Sequence, residues 1–328
     1  MHESADLDEI ALELERLQSD VPTAAGTHLE DWLRLVAERG ASDLFLLAGE
    51  PPALRINGRI VRSGSAPLDG VDVEEIVLTN LAPHAQRAYR EHGIADASFR
   101  LAGVGRFRIN LHRERARAAA VIRMLPKRVP ALASLDLPPA SEALSRIPRG
   151  LVIIGGATGS GKSTTMAALV EEINGRDAKH IITIEDPIEY EYTNQKSLIQ
   201  QIEIGIDAPD FPTALRSALR QAPDVLVVGE MRDPETMRIA LAAGETGHLV
   251  LSTLHTTDVP STIARMTDSF PAERQNTIRQ EIAAALTAVF VQTLMPRLSG
   301  GRVPAAELLM VGYGALQHIR RNALQHLH

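Results

Sequence analysis

Eight consecutive residues, Gly156-Ala157-Thr158-Gly159-Ser160-Gly161-Lys162-Ser163, match the pattern of a loop that cradles phosphate groups. The apolar run Leu151 to Ile154 precedes the loop as a strand would, and a helical segment follows it. That is the context the pattern needs to be more than a glycine-rich turn. Glycines at 156, 159 and 161 let the backbone wrap closely, so that amide N–H groups point at phosphate oxygens. The N-terminus of the following helix adds its favourable dipole. Lys162 supplies the compensating positive charge, and the Ser163 hydroxyl is placed to coordinate Mg²⁺. The candidate nucleotide contacts are Gly156, Thr158, Gly159, Ser160, Gly161, Lys162, Ser163 and Thr164.

Such a loop occurs in kinases, GTPases and motors alike, so the acidic partners decide the chemistry. Two clusters stand out. Ile184-Glu185-Asp186-Pro187-Ile188-Glu189-Tyr190 ends a strand in a proline turn beside three acids. Val225-Leu226-Val227-Val228-Gly229-Glu230 is an apolar strand that delivers one acid to its carboxyl end, the Walker B arrangement. In an open parallel sheet that end is where ligands bind, so Glu189, Glu230 and Ser163 are expected to converge on Mg²⁺ and the attacking water. Glu185 is a further candidate nucleotide contact, although Glu185 or Asp186 could instead cap a turn.

These residues need a scaffold, and the hydrophobic pattern supplies one. After Arg149, the strand runs Leu151 to Ile154, Ile181 to Ile184, Val225 to Val228 and Leu249 to Leu254 alternate with helical segments. This indicates an α/β domain with a largely parallel sheet over residues 149–328. Residues 28–128 mix the two patterns. Leu29 to Glu38 and Val73 to Leu81 read as helices, while Leu44–Leu47, Ala53–Ile56, Arg106–Leu111 and Ala118–Leu125 read as strands, with a hairpin turn at Asn57-Gly58. The result is a smaller α+β domain. Pro130, Pro138, Pro139 and Pro148 mark residues 129–148 as a stiff linker.

Residues 1–27 form a separate acidic leader, in which Leu7, Ile10, Leu14 and Leu17 have helical spacing before Val21-Pro22 interrupts it. Most of the net charge of −7 resides here, since residues 1–31 hold nine acids and one base and leave the remainder near +1. A near-neutral body gives no electrostatic reason to expect a nucleic-acid partner. The absence of cysteine excludes disulfides and thiolate zinc sites. No apolar stretch approaches membrane-span length and the N-terminus is acidic, so a cytoplasmic protein is expected.

The segment Leu219-Arg220-Gln221-Ala222-Pro223-Asp224 through Gly229-Glu230-Met231-Arg232-Asp233 resembles the signature of secretion and type IV pilus ATPases. The phosphate loop, the acidic box Glu185 to Glu189, and the histidine box from Gly247-His248 to His255-Thr256 occur in that family's order, and the resemblance runs from about Gly40 to Arg320. Gly40-Ala41-Ser42-Asp43-Leu44 and Phe270-Pro271-Ala272-Glu273 are most similar to the PilT-type retraction, or twitching motility, branch. So is the lack of a four-cysteine zinc insertion.

This resemblance implies a cytoplasmic ATPase that uses ATP and Mg²⁺, peripherally associated with the inner membrane. It implies a PAS-like N-terminal domain, a RecA-like C-terminal domain and a homo-hexamer with a pilus platform protein and a paralogous ATPase as partners. Glu189 matches the catalytic glutamate, Glu230 the Walker B acid, and His248 and His255 the phosphate-sensing histidines. Spacing alone would make those two ordinary strand-end histidines. Between Arg100 and Arg128 lie eight arginines and one lysine against a single acid, Glu114. Arg108, Arg115 and Arg123 align best with family arginines that reach the nucleotide; a solvated strand face is the plain alternative.

Three features depart from the family pattern: Phe45 stands where histidine is common, the leader is acidic, and the chain stops at His328, where relatives continue through more helices. The last motivates a second reading as a poorly hydrolysing accessory subunit paired with an active paralogue. A DNA-translocating motor and a small-molecule kinase are weaker rivals, the latter because nothing resembles an acceptor-binding lid.

Overall fold

The computed structural model describes residues 28–298 and 300–327. The acidic leader helix expected over residues 5 to 19 lies outside the described residues. The chain divides into two compact units, Met1–Lys127 and Arg128–His328. The α/β class expected from the hydrophobic pattern is the class observed, with one sheet in each unit.

The first unit is a six-stranded antiparallel sheet in the order β3-β2-β1-β6-β5-β4. Its strands are β1 (Asp43–Leu47), β2 (Ala53–Ile56), β3 (Arg59–Arg62), β4 (Ile94–Leu101), β5 (Gly105–Glu114) and β6 (Arg117–Met124). Helices α1 (Leu29–Glu38), α2 (Gly70–Leu78) and α3 (Pro83–His92) share one core with the sheet, in which Trp32, Val77 and Tyr89 join Leu44, Phe107, Ile109 and Ile122. Alternation along β5 buries Phe107, Ile109 and Leu111 and turns Arg108 outward. Helix α2 starts three residues before the expected Val73. Asp69 accepts from the Val71 and Asp72 amides at 2.8 Å and Asp72 returns a bond to the Asp69 amide, closing a capping box that the apolar spacing did not reveal.

The second unit is a seven-stranded sheet in the order β13-β12-β7-β11-β10-β8-β9. Its strands are β7 (Gly150–Gly155), β8 (His180–Glu185), β9 (Leu198–Glu203), β10 (Val225–Val228), β11 (Leu249–Leu254), β12 (Leu286–Pro296) and β13 (Arg302–Met310). All neighbours are parallel except the edge pair β12 and β13. Helix α4 (Lys162–Arg176) covers one face, packing Leu169, Val170 and Ile173 with Val152, Ile154 and Val227. Helices α5 (Phe211–Ala218), α6 (Pro234–Glu245), α7 (Val259–Asp268) and α8 (Ala272–Ala285) cover the other, and a last helix, α9 (Tyr313–Arg320), packs there through Ile319. Burial on both faces is why the central strands read as continuous apolar runs.

The proline-rich stretch expected to act as a linker is built into this unit. It forms 3₁₀ turns over Leu132–Leu135 and Pro139–Arg146 and buries Leu132, Leu144 and Ile147 in the α4 face. Arg176 holds it further, donating to the Ser145 hydroxyl at 3.0 Å and to its carbonyl.

One charge cluster locks the first unit. The buried Asp43 carboxylate accepts from Arg123 Nε at 2.7 Å and Ser42 Oγ at 2.8 Å, with Arg55 Nε 3.2 Å away. Burial alone would raise the Asp43 pKa, but those bonds and the two guanidinium charges outweigh it and hold the group below the usual carboxylate range. The ionised form is therefore favoured by folding. Its contribution is complete above the unfolded-state value of about 3.9 and is lost as pH falls through the lower folded value. Asp43→Asn is expected to cost about 1–3 kcal/mol at pH 7. Thermal melts of both proteins should converge as the pH drops below about 4; a deficit independent of pH would contradict the ion-pair account.

Candidate functional site

The phosphate loop connects the end of β7 to the start of α4, as the motif requires. Gly156 has φ +150°, and a Cβ there would sit 2.3 Å from Ser160 Oγ and 2.5 Å from the Gln292 carbonyl, so any larger residue would force the loop open. Gln292 clamps the loop from β12. Its amide donates to Ser160 O at 2.6 Å and accepts from Thr165 Oγ1 at 2.7 Å, with the side chain buried. The Ser160 hydroxyl is buried without a hydrogen-bond partner among the described residues. Lys162, Ser163 and Thr164 open α4, so their amides belong to the first turn, where intrahelical acceptors are lacking. An orphaned hydroxyl inside a ring of amide donors at a helix N-terminus is the chemistry that receives a phosphate.

Four parallel strands end side by side at this edge, and their spacing of roughly 4.8 Å sets the order of the charged groups. Lys162 follows β7, His255 follows β11, Glu230 follows β10, and Glu185 ends β8. The Lys162 ammonium donates to the Gly156 and Ala157 carbonyls at 2.8 and 2.9 Å and lies 3.4 Å from His255 Nδ1. His255 Nε2 is 3.5 Å from Glu230 Oε1, and Arg232 donates to Glu230 Oε2 at 2.9 Å. Thr158 Oγ1 also reaches His255 Nδ1, at 3.5 Å. Burial lowers the Lys162 pKa, and the Glu230 carboxylate opposes that shift. The Glu230 turn is fastened to β11, since Ser252 Oγ donates to Val228 O at 2.7 Å and Thr253 Oγ1 to Gly229 O at 2.6 Å.

The acidic box leaves β8 and turns through a cis Asp186–Pro187 bond. Tyr190 brings it to the phosphate loop, its hydroxyl 3.0 Å from Thr164 Oγ1 on the first turn of α4. Glu189, one residue earlier, is partly exposed. Loss of water around Glu185 raises its pKa, partly offset by hydrogen bonds from Thr183 Oγ1 at 2.6 Å, the Glu189 amide and Gln201. Glu185 thus supports the turn from within.

The structure gathers Gly156, Thr158, Gly159, Ser160, Gly161, Lys162, Ser163, Thr164, Glu185, Glu189, Glu230 and His255 at this edge, and leaves His248 elsewhere. His248 precedes β11, donates its amide to Ala243 O, and is separated from His255 by the whole six-residue strand. At about 3.3 Å per residue, that is roughly 20 Å from the phosphate loop of its own chain. The three arginines lie in the first unit with local partners: Arg108 with Asp96 at 3.8 Å, Arg115 with Glu114 at 3.5 Å and Arg123 with Asp43. Gln292, Tyr190 and Arg232 were not anticipated. A lone amide closing the apolar run Ala288 to Val291 is the signal that would have found Gln292.

No cluster of three or more His, Cys, Asp or Glu suited to a metal occurs among the described residues. Mg²⁺ in phosphoryl-transfer sites needs only one or two protein oxygens beside the phosphates, which the Ser163 hydroxyl and the Glu230 carboxylate can provide.

The chain matches the family described as type II/IV secretion system protein over residues 103–306. It is 42% identical to the type IV pilus retraction ATPase PilT of Pseudomonas aeruginosa, over 89% of this chain and 85% of that one. It is 38% identical to the type IV pilus ATPase PilU of the same organism, over 91% and 78%. A crystal structure of the pilus retraction motor PilT with bound ADP superposes with a TM-score of 0.85 at 41% identity, covering 92% of this chain and 88% of that chain. A phosphate loop beside ordered acids at one edge of a parallel sheet, together with this degree of likeness, places the chain in the type II/IV secretion system protein family, among its PilT-like ATPases.

Proposed function

We propose that this ATP-hydrolysing enzyme is the motor subunit of a type IV pilus machine, and that it retracts the pilus. The observation that carries the reading is the row Lys162, His255, Glu230 at the carboxyl edge of the sheet, with the Glu189 turn tied to α4 beside it. ATP phosphates lie against the loop amides, and Lys162 exchanges its two loop carbonyls for phosphate oxygens. Glu189 takes the proton of the attacking water. Ser163 and Glu230 would hold Mg²⁺, which would supply positive charge to offset the negative charge developing on the phosphates. His255 lies between the lysine and Glu230, so loss of the terminal phosphate changes the charge on one side of it and is passed to the Glu230 turn.

Six copies form the ring, with Arg108, Arg115 and Arg123 of a neighbouring copy stabilising the developing charge. Hydrolysis then reorients the two units of each subunit against a platform protein at the inner membrane, with a PilU-like ATPase as a second partner. The likeness to PilT supports retraction. Among the described residues no helix is long and apolar enough to cross a membrane, in keeping with peripheral attachment.

Glu189→Gln keeps size and hydrogen bonding but removes the base, and steady-state ATP turnover is expected to fall by roughly 10²–10⁴-fold while fluorescent-nucleotide binding is retained. Unchanged turnover would refute the assignment, and slow turnover in the parent protein that ring assembly does not raise would favour the accessory-subunit reading. Gln292→Leu should act on binding instead. With the loop unclamped and Ser160 O and Thr165 Oγ1 unsatisfied, nucleotide affinity is expected to drop by roughly tenfold, about 1.4 kcal/mol, in a direct titration.

A further inference from the structure

Between β8 and β9 the chain runs through the Glu189 turn outside any strand, and side chains bond its backbone at several positions. The Ile188 amide donates to Glu203 Oε2 at 3.1 Å and the Glu189 amide to Glu185 Oε2 at 3.4 Å. Gln201 serves Tyr190 and Tyr192. Its Nε2 donates to Tyr190 O at 2.8 Å while its Oε1 accepts from the Tyr192 amide at 3.0 Å. A primary amide that donates to residue i and accepts from residue i+2 reproduces the pairing a neighbouring strand would offer. The same Nε2 lies 3.3 Å from Glu185 Oε1, joining both supports of the turn.

The register explains why β9 can do this. It is the edge strand, parallel to β8 with Thr183 opposite Gln201 and Glu185 opposite Glu203. Gln201 and Glu203 are two residues apart and therefore share a face of the strand, and both of their side chains reach the turn. Glu203 is buried, and its carboxylate accepts from the Ile188 amide. The far side of the turn is fixed by the Tyr190–Thr164 contact. Glu189 is thus carried on a segment held from beneath by β9 and from above by the phosphate-loop helix.

We infer that Gln201 is a positioning residue for hydrolysis: its side-chain amide acts as a surrogate strand that fixes the backbone on which Glu189 is presented to the attacking water. This rests on Glu189 being the base. Misplacing a catalytic group by about 1 Å can cost on the order of 100-fold in rate without altering ground-state binding. Gln201 touches no phosphate-loop atom in the described contacts, so its effect belongs in kcat.

The test is a double-mutant cycle on the full-length protein, reading ATP turnover and the affinity of a fluorescent ADP. Gln201→Met, of similar volume, removes both hydrogen bonds and is expected to lower kcat by roughly 10- to 100-fold with unchanged nucleotide affinity. In a Glu189→Gln background the same substitution should lower kcat no further, because the group it positions is gone. Equal losses in both backgrounds, or no loss at all, would overturn the inference. A Glu189→Gln protein with full activity would instead remove the base assignment on which the inference rests, an outcome distinct from either. Should Gln201→Met fail to fold, Gln201→Glu serves. It retains the acceptor for Tyr192 and regains a donor only when protonated, so its deficit relative to the parent should shrink as pH is lowered toward 5; a deficit constant with pH would contradict the role.

Discussion

Lys162 brings a positive charge to the start of α4, beyond the buried strand β7, where the residue is only 8% exposed. An ammonium in that position loses hydration, and its lowered pKa reflects the loss. The ammonium donates to two loop carbonyls, and the field of Glu230 opposes the lowering. Much of the site follows from that requirement. The loop must bend so that the Gly156 and Ala157 carbonyls face inward, which is why Gly156 cannot carry a side chain. Glu230 must stay two strands away, which is why hydroxyls on β11 fasten its turn. A group with this much unmet demand for negative charge is suited to exchange weak carbonyl partners for phosphate oxygens.

Parallel topology does the remaining work. Since β7, β11, β10 and β8 run the same way, residues from positions 162 to 255 in the chain end at a common edge without any loop having to reach across the sheet. His255 takes its place because β11 lies between the strands that deliver Lys162 and Glu230. His248, at the start of the same strand, is excluded from that edge for the same reason.

The central strands were legible because burial on both faces makes them continuous apolar runs, and the phosphate loop because only glycine tolerates its geometry. The edges of the sheet were not. In β9, Leu198-Ile-Gln-Gln-Ile-Glu203 carries polar groups that serve the Glu189 turn, so its pattern does not look like a strand. β12 follows the helical Ile282-Ala-Ala-Ala285 without a break, which hides the change from helix to strand period. Gln201 and Gln292 escaped notice because an amide has no signature until its partners are known. In the first unit, the sequence sets eight arginines against a single acid between Arg100 and Arg128, whereas Arg123 is bonded to Asp43 and Arg108 faces Asp96. Sequence counts charges but does not pair them.

The most direct test of the central claim is a structure of the assembled protein with ADP and beryllium fluoride, which mimics ATP at the point of hydrolysis. The terminal fluoride group should lie between Lys162 Nζ and His255, with the Glu189 and Glu230 carboxylates turned toward it and Glu189 within about 4 Å of the lytic water, directly or through one hydrogen bond. Carboxylates at 189 and 230 that face away from the phosphate loop in every subunit would contradict the account.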